Sequence, residues 1–111
     1  MARLFWMLGR IRLAQGLRPA ADSALDEALA LERAVHGDGT TADLYDQAAY
    51  WSLRGDLRRS IALLSDAVTN GYDDPRIRYD RRLVPVRAEP EFNGLIGVVR
   101  ERLQRDLGRA P

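Results

Sequence analysis

Two stretches of the sequence, LGRIRLAQG at residues 8–16 and QAAYWSLRG at residues 47–55, decide the predicted fold. They align when Leu8 is placed over Gln47, and similar residues continue to pair on both sides of them. Self-similarity at a fixed spacing is typical of repeat proteins, so we predict two copies of one structural unit. The matched pairs are Trp6 with Tyr45, Gly9 with Ala48, Gly16 with Gly55, Ala21 with Ser60, Ala24 with Leu63, Leu25 with Leu64, Ala28 with Ala67 and Leu29 with Val68.

The first copy has the pattern of two helices joined by a glycine turn. Gly16 is predicted to end the first helix, because glycine adopts a positive φ at little cost. Pro19 is predicted to open the second helix, and Gly37 to stop it. Three- and four-residue spacing indicates amphipathic helices. The predicted apolar positions are Leu4, Phe5, Leu8, Ile11 and Ala14 in the first helix and Ala21, Ala24, Leu25, Ala28, Leu29 and Leu31 in the second.

The second copy repeats this pattern with clearer helix caps. Thr40 or Thr41 can cap a helix that runs to about Arg54, and Asp56 is the predicted N-cap of the next. Small residues at matched positions of the two copies favour close approach of the helices. The apolar face predicted for the fourth helix, up to residues 70–71, is Ile61, Leu64, Ala67 and Val68.

Residues 72–111 have a different pattern, with proline at several element boundaries. Asp74 is predicted to cap a short helix begun by Pro75, and Pro85 to break the chain. Pro90 then lies in the first turn of a last helix, predicted from about residue 91 to residue 107. This helix has the spacing needed to cover an open helical stack, with the apolar stripe Phe92, Leu95, Ile96, Val99, Leu103 and Leu107.

These features together resemble the tetratricopeptide repeat family, in particular the longer repeats of kinesin-light-chain type. Repeat one would be residues 2–37 and repeat two residues 41–71, and residues 72–111 are similar to the C-terminal cap of bacterial signalling proteins. The resemblance implies an all-α, single domain over residues 1–111. It implies an αα-hairpin solenoid, a right-handed superhelix of two repeats plus capping helices.

Composition excludes several classes of active site. Cysteine is absent, which removes disulfides, thiolate metal sites and cysteine nucleophiles. His36 is the only histidine, so no multi-histidine metal site can form; we expect it to interact with a helix C-terminus. Asp22 and Asp26 share a helix face that we expect to be solvated. We therefore predict a protein that is not an enzyme and that has no cofactor and no metal.

The charge and hydropathy of the sequence bear on whether the protein binds nucleic acid or a membrane. All 17 basic residues are arginine, against 16 acidic residues. The tail is basic but interleaved with acids, so we expect a mixed, solvated surface and predict no nucleic-acid partner. The arginines concerned are Arg76, Arg78, Arg81, Arg82 and Arg87. The apolar stretch at residues 4–8 is ended by Arg10 and Arg12 and is too short for a signal peptide or a membrane span. We expect a cytoplasmic protein that does not bind a membrane.

The resemblance implies a concave groove lined by the first helix of each hairpin, where a peptide or partner helix binds. Tryptophan, tyrosine and arginine, the residues most often found at interface hot spots, occur at these positions. An alternative is that Trp6 and Tyr45 pack as core. The family's lysine and asparagine pattern for chaperone tails is not matched, so that ligand is not predicted. The groove positions are Arg3, Trp6, Arg10, Leu13, Ala42, Tyr45, Ala49 and Ser52.

The first helix also suggests a different use. Residues 4–8 are apolar almost all round, and such a helix at the edge of a solenoid is expected to expose an interaction patch. The chain could associate with itself through this helix. The second hypothesis is therefore structural: an oligomerisation segment, or the C-terminal regulatory tail of a larger bacterial signalling protein associated with a kinase or cyclase.

Overall fold

The computed structural model describes residues 1–108 of the chain as five α-helices and three short 3₁₀ helices, with no strand among these residues. The prediction of an all-α protein is confirmed. Residues 109–111 of the predicted cap lie outside the described residues. The helices are α1 (Ala2–Ala14), α2 (Arg18–His36), α3 (Thr41–Arg54), α4 (Leu57–Thr69) and α5 (Pro90–Gly108), and the 3₁₀ helices are Pro75–Arg78, Arg81–Leu83 and Val86–Ala88.

The first four helices pack in two pairs, α1 with α2 and α3 with α4. Gly16 and Gly55 lie at the bends, with φ of +76° and +89°, as the sequence predicts. The paired helices approach closely because small residues lie between them. The Ser60 hydroxyl even donates a hydrogen bond to the Ala48 carbonyl across the second pair, at 2.7 Å.

Side chains cap the helices where the sequence indicates. Thr40 Oγ1 accepts a hydrogen bond from the Asp43 backbone N–H at 3.1 Å, and Asp56 caps α4 in the same way through the Arg59 N–H. The Asp74 carboxylate accepts from the Arg76 N–H and starts the first 3₁₀ helix. Each cap satisfies a backbone donor that a helix leaves unpaired at its first turn.

Two apolar clusters form the core. The smaller cluster joins α1 and α2 to Tyr50 and Leu53 of α3, and Trp6 and Leu25 are buried in it. The larger cluster joins α3, α4, α5 and the segment between α4 and α5. The segment of residues 72–89, named the cap segment below, thus contributes core residues although it contains only short 3₁₀ helices.

The cap segment lies against α3. Ile77, Leu83 and Val86 are completely buried, and the Val86 N–H donates to Ser52 Oγ of α3 at 3.2 Å. Helix α5 packs on α4 and on the first and third 3₁₀ helices. The sequence predicts a cap over residues 72–111 whose final helix covers the open stack, and the structure divides that role between α5 and the cap segment.

Two predicted apolar stripes differ from those observed. In α1 the buried residues are Trp6 and Gly9, and the predicted stripe residues Leu4 and Ile11 are about half exposed. Because no element covers this side of α1 within residues 1–108, its apolar side chains face outward. In α5 Phe92 and Val99 are buried as predicted, but Leu107 is exposed because that end of the helix extends beyond the core.

Candidate functional site

A groove of about 420 Å³ lies between α1, the end of α2 and the cap segment. We name it the arginine groove, since five of its nine lining residues are arginine. The lining side chains are Arg3, Trp6, Met7, Arg10, Glu32, Arg76, Asp80, Arg81 and Arg82.

Helix geometry places one wall of the arginine groove. Arg3, Trp6 and Arg10 are spaced three and four residues apart in α1, so they share one face. The other wall begins at Asp80, whose Oδ1 accepts from the Arg82 N–H at 3.0 Å and so starts the second 3₁₀ helix. This cap turns Arg81 and Arg82 towards α1.

Arg82 is the centre of the buried polar contacts beside the groove. Its Nη2 donates to Asp80 Oδ2 at 2.7 Å, and its Nη1 donates to Asp46 Oδ1 at 3.1 Å. The guanidinium also lies 4.7 Å from the centre of the Trp6 ring, within the range of a cation–π contact. Arg82 therefore connects α1, α3 and the cap segment.

Asp80 and Asp46, the two carboxylates that contact Arg82, have pKa values shifted in opposite directions. Burial alone would raise the pKa of Asp80, but hydrogen bonds and charge from Arg82, with the Tyr45 hydroxyl, outweigh it and lower the pKa to about 2. Burial raises the pKa of Asp46 to about 6, because the charge of Arg82 offsets it only in part and the Glu32 carboxylate adds to it. Arg82 thus offsets the cost of burying the ionised carboxylate more fully for Asp80 than for Asp46.

Three arginines of the groove have no acidic partner. Within residues 1–108, Arg3, Arg10 and Arg81 form no ion pair, whereas Arg76 and Arg82 both pair with Asp80. Trp6 Nε1 and Arg10 Nε are buried and find no hydrogen-bond partner in the described part of the chain. Buried donors without partners are unusual in folded proteins, so this wall has unused hydrogen-bonding capacity.

Three of the predicted groove residues, Arg3, Trp6 and Arg10, do line the arginine groove. Trp6 also packs as core, with 6% of its surface exposed, while one side of it lines the groove. Leu13 instead packs against the cluster around Trp6, and the predicted residue Ala42 is half-buried and does not line the groove.

The other three predicted residues, Tyr45, Ala49 and Ser52, lie in the interior of the protein. The expectation that they face a partner is corrected, because the cap segment already occupies that face of α3. Tyr72 stacks on Tyr45 with ring centres 4.4 Å apart, and the Tyr45 hydroxyl donates to Asp80 at 2.8 Å.

Sequence reasoning assigned the arginines of residues 76–87 to a mixed, solvated surface and missed the groove. The structure buries Arg82 and places Arg76 and Arg81 in the groove lining. One signal was present: Asp46 lies three residues before Ala49 on the inward face of α3, and a buried carboxylate needs a cationic partner. The sequence does not say which arginine supplies it.

A second group of polar residues lies where α2 meets α3. One ligand atom each from Glu32, His36 and Asp46 lies within 4.8 Å of the other two. Glu32 also lines the arginine groove, so the two features are adjacent. An imidazole and two carboxylates form a donor set that suits divalent transition metals.

In comparisons with protein-family models, curated proteins and solved structures, nothing matches this chain. Among residues 1–108, none of the helices has the length and apolar character needed to cross a membrane. The class of protein defined by the fold and the site is therefore an all-helical protein of paired helices with an arginine-lined groove.

Proposed function

We propose that this chain is a non-catalytic protein-interaction module that binds an acidic peptide in the arginine groove. In this proposal the two hairpins form a short tetratricopeptide-like superhelix in the cytoplasm, and the cap segment supplies the second wall of the groove. The observation that carries the proposal is the presence of Arg3, Arg10 and Arg81, without acidic partners among residues 1–108, around one groove.

Arginine is suited to this role. Its guanidinium presents fixed donors that hold a carboxylate through two parallel hydrogen bonds, at less desolvation cost than an ammonium group. Trp6 adds an apolar wall, and tryptophan and arginine are enriched among residues that dominate binding energy. A glutamate- or aspartate-rich segment would meet both the charge and the shape of the groove.

The experiment measures fluorescence anisotropy of labelled peptides of equal length, one rich in glutamate and the other with glutamine in its place. We expect the acidic peptide to bind at least about tenfold more tightly, and Arg3→Gln and Arg81→Gln each to weaken it by about 1–3 kcal/mol. Both side chains are exposed, so the fold should be unchanged.

Arg100→Gln is the matched control, because Arg100 is exposed on α5 and does not line the groove. If Arg100→Gln weakens the acidic peptide as much as Arg81→Gln does, the attraction is general charge and the groove is not the site. Equal binding of the two peptides by the wild-type chain would also contradict the proposal.

A second candidate function, self-association, rests on the outward face of α1. Leu4, Met7 and Ile11 are 57%, 43% and 48% exposed. They lie three and four residues apart, so they form one apolar ridge. In this candidate function α1 serves oligomerisation, or attaches the chain as the regulatory tail of a larger bacterial signalling protein. Exposed apolar patches of this kind commonly mark interaction surfaces.

Light scattering after size-exclusion chromatography tests the ridge. We expect the wild-type chain to form a dimer that Leu4→Ser with Ile11→Ser converts to a monomer, while Val98→Ser, an exposed apolar residue of α5, leaves the dimer intact. A wild-type monomer across the accessible concentration range would rule out self-association and leave the groove proposal untouched.

A further inference from the structure

The polar group at the α2–α3 junction is built from two neighbouring helices. Glu32 and His36 are four residues apart in the last turns of α2, so their side chains share one face. Asp46 lies on α3 and points into this junction from the interior, with 6% of its side chain exposed. The three side chains therefore meet at a boundary between the two hairpins.

The distances suit a metal ion of small radius. Ligand atoms about 2.0–2.2 Å from a tetrahedral zinc ion lie about 3.3 Å from one another. His36 Nε2 and Glu32 Oε2 are already 3.1 Å apart. The remaining separations are within 4.8 Å, so they need a closure of at most about 1.5 Å. The half-exposed His36 side chain can supply this movement by changing its rotamer.

The charges around Asp46 favour a further cation. The hydrogen bond from Arg82 reaches Oδ1 of Asp46, while the Nε and Nη2 donors of Arg82 are both directed to Asp80. Asp46 also faces the Glu32 carboxylate, which raises its pKa. A divalent ion between these two carboxylates would replace their repulsion with attraction and reduce the cost of the buried charge.

From this geometry we propose that Glu32, His36 and Asp46 bind a divalent transition-metal ion, with zinc as the best fit, and so connect α2 to α3. Three protein ligands leave one tetrahedral position for water, which is the arrangement of an open zinc site. The sequence predicts no metal because His36 has no histidine partner. Only the fold brings Asp46 to it across the helix boundary.

The test uses the full-length chain without an affinity tag, titrated with ZnCl₂ by isothermal calorimetry and with CoCl₂ by visible absorption. We expect one ion per chain, cobalt bands typical of tetrahedral coordination, and a rise in Tm that a chelator reverses. Because His36 is the only histidine, its imidazole signals in NMR spectra report directly on coordination.

His36→Ala and Glu32→Gln should each weaken zinc binding about tenfold or more, since loss even of a residue that only supports a ligand costs about 10–100-fold. Neither residue is buried, so both variants should fold. Glu27→Gln, an exposed acid of α2 outside the cluster, is the matched control and should bind as the wild type does. Zinc binding that is equal in His36→Ala and wild type, or His36 signals that do not move with zinc, would overturn the proposal.

Discussion

Helices α1 and α3 are each the first helix of a hairpin, yet they differ sharply in burial. Eight residues of α3 are buried, whereas in α1 only Trp6 and Gly9 are. Both helices pack against the second helix of their own hairpin. The difference arises on the remaining sides, because α2 and the cap segment both cover α3, whereas nothing within residues 1–108 covers the apolar ridge of α1.

This comparison shows that matched sequence positions need not have matched roles. Trp6 and Tyr45 align when the two sequence stretches are superposed, but Tyr45 lies beneath the cap segment while Trp6 forms a wall of an open groove. A helical hairpin buries one face by itself, and what happens to the other face depends on its neighbours. In this chain one neighbour is the cap segment, and the groove forms between α1 and the first two 3₁₀ helices of that segment.

The largest expected effect concerns α3, the helix that the cap segment covers. Tyr45→Ala removes the stack on Tyr72, the hydrogen bond to Asp80 and a fully packed ring. We therefore expect the free energy of unfolding to fall by about 3–5 kcal/mol, which urea denaturation followed by circular dichroism measures. Tyr79→Ala is the control, because Tyr79 is largely exposed and surface substitutions cost about 0.5 kcal/mol or less. Similar losses for the two variants would show that the cap segment does not hold α3.

The next effect concerns the attachment of the cap segment to α3. The pKa of Asp80 is lowered to about 2 from an ordinary value of 3.8. The ionised carboxylate therefore stabilises the folded protein fully above about pH 4, and this contribution is lost as the pH falls towards 2. The difference between these two pKa values corresponds to about 2 kcal/mol in the free energy of unfolding. We expect Asp80→Asn to lose this amount at pH 7 and much less at pH 2, in urea denaturation at both values.

Asp46→Asn is the matched control, because Asp46 also contacts Arg82 but has its pKa raised to about 6. A raised carboxyl pKa has the opposite sign: the stabilisation is complete below about pH 4 and is lost as the pH rises through 6. Among the groups that face Asp46, the charge of Glu32 adds to this shift, and those of Arg82 and His36 oppose it. Asp46→Asn should therefore flatten the fall in stability between pH 4 and 6. If both variants had the same pH profile, this would contradict the conclusion that Arg82 stabilises the ionised form of Asp80 more fully than that of Asp46.

The smallest expected effect concerns α1, the helix whose apolar ridge is uncovered within residues 1–108. A Cβ at Gly9 would lie 2.5 Å from Leu25 Cδ2 and 2.9 Å from Leu25 Cγ, and Leu25 is fully buried with little room to move away. We expect Gly9→Ala to destabilise the protein by about 1–2 kcal/mol, because the overpacking cost exceeds the gain in helix propensity. Thermal denaturation measures the change.

Gly94→Ala makes the identical substitution in α5, where no described atom beyond the adjacent residues and the helix's own backbone lies within 4 Å of the added Cβ. It should stabilise the protein by about 0.5–1 kcal/mol. If Gly9→Ala is stabilising as well, α1 is not held against α2 by close packing, and the open helix is looser than its contacts indicate.

Local features of the sequence were sufficient for most of the helical framework. Apolar periodicity located α1, α2, α4 and α5, and the match to the first copy located α3. Gly16 and Gly55 located the hairpin bends, where φ is positive, and Thr40 and Asp56 located two helix starts. Each of these signals acts over a few residues, because capping, turn geometry and helical spacing depend on near neighbours. They are therefore readable without knowledge of the rest of the chain.

The position of the cap segment was decided only in the tertiary structure. Short 3₁₀ helices have no apolar period to read, and their burial depends on contacts with α3, which is distant from them along the chain. The burial of Arg82, the covering of Tyr45 and the meeting of His36 with Asp46 all follow from that long-range packing. By itself the sequence determined which residues form helices and where they turn; the tertiary structure decided which side of each helix is covered, because a free face is defined only by what packs against it.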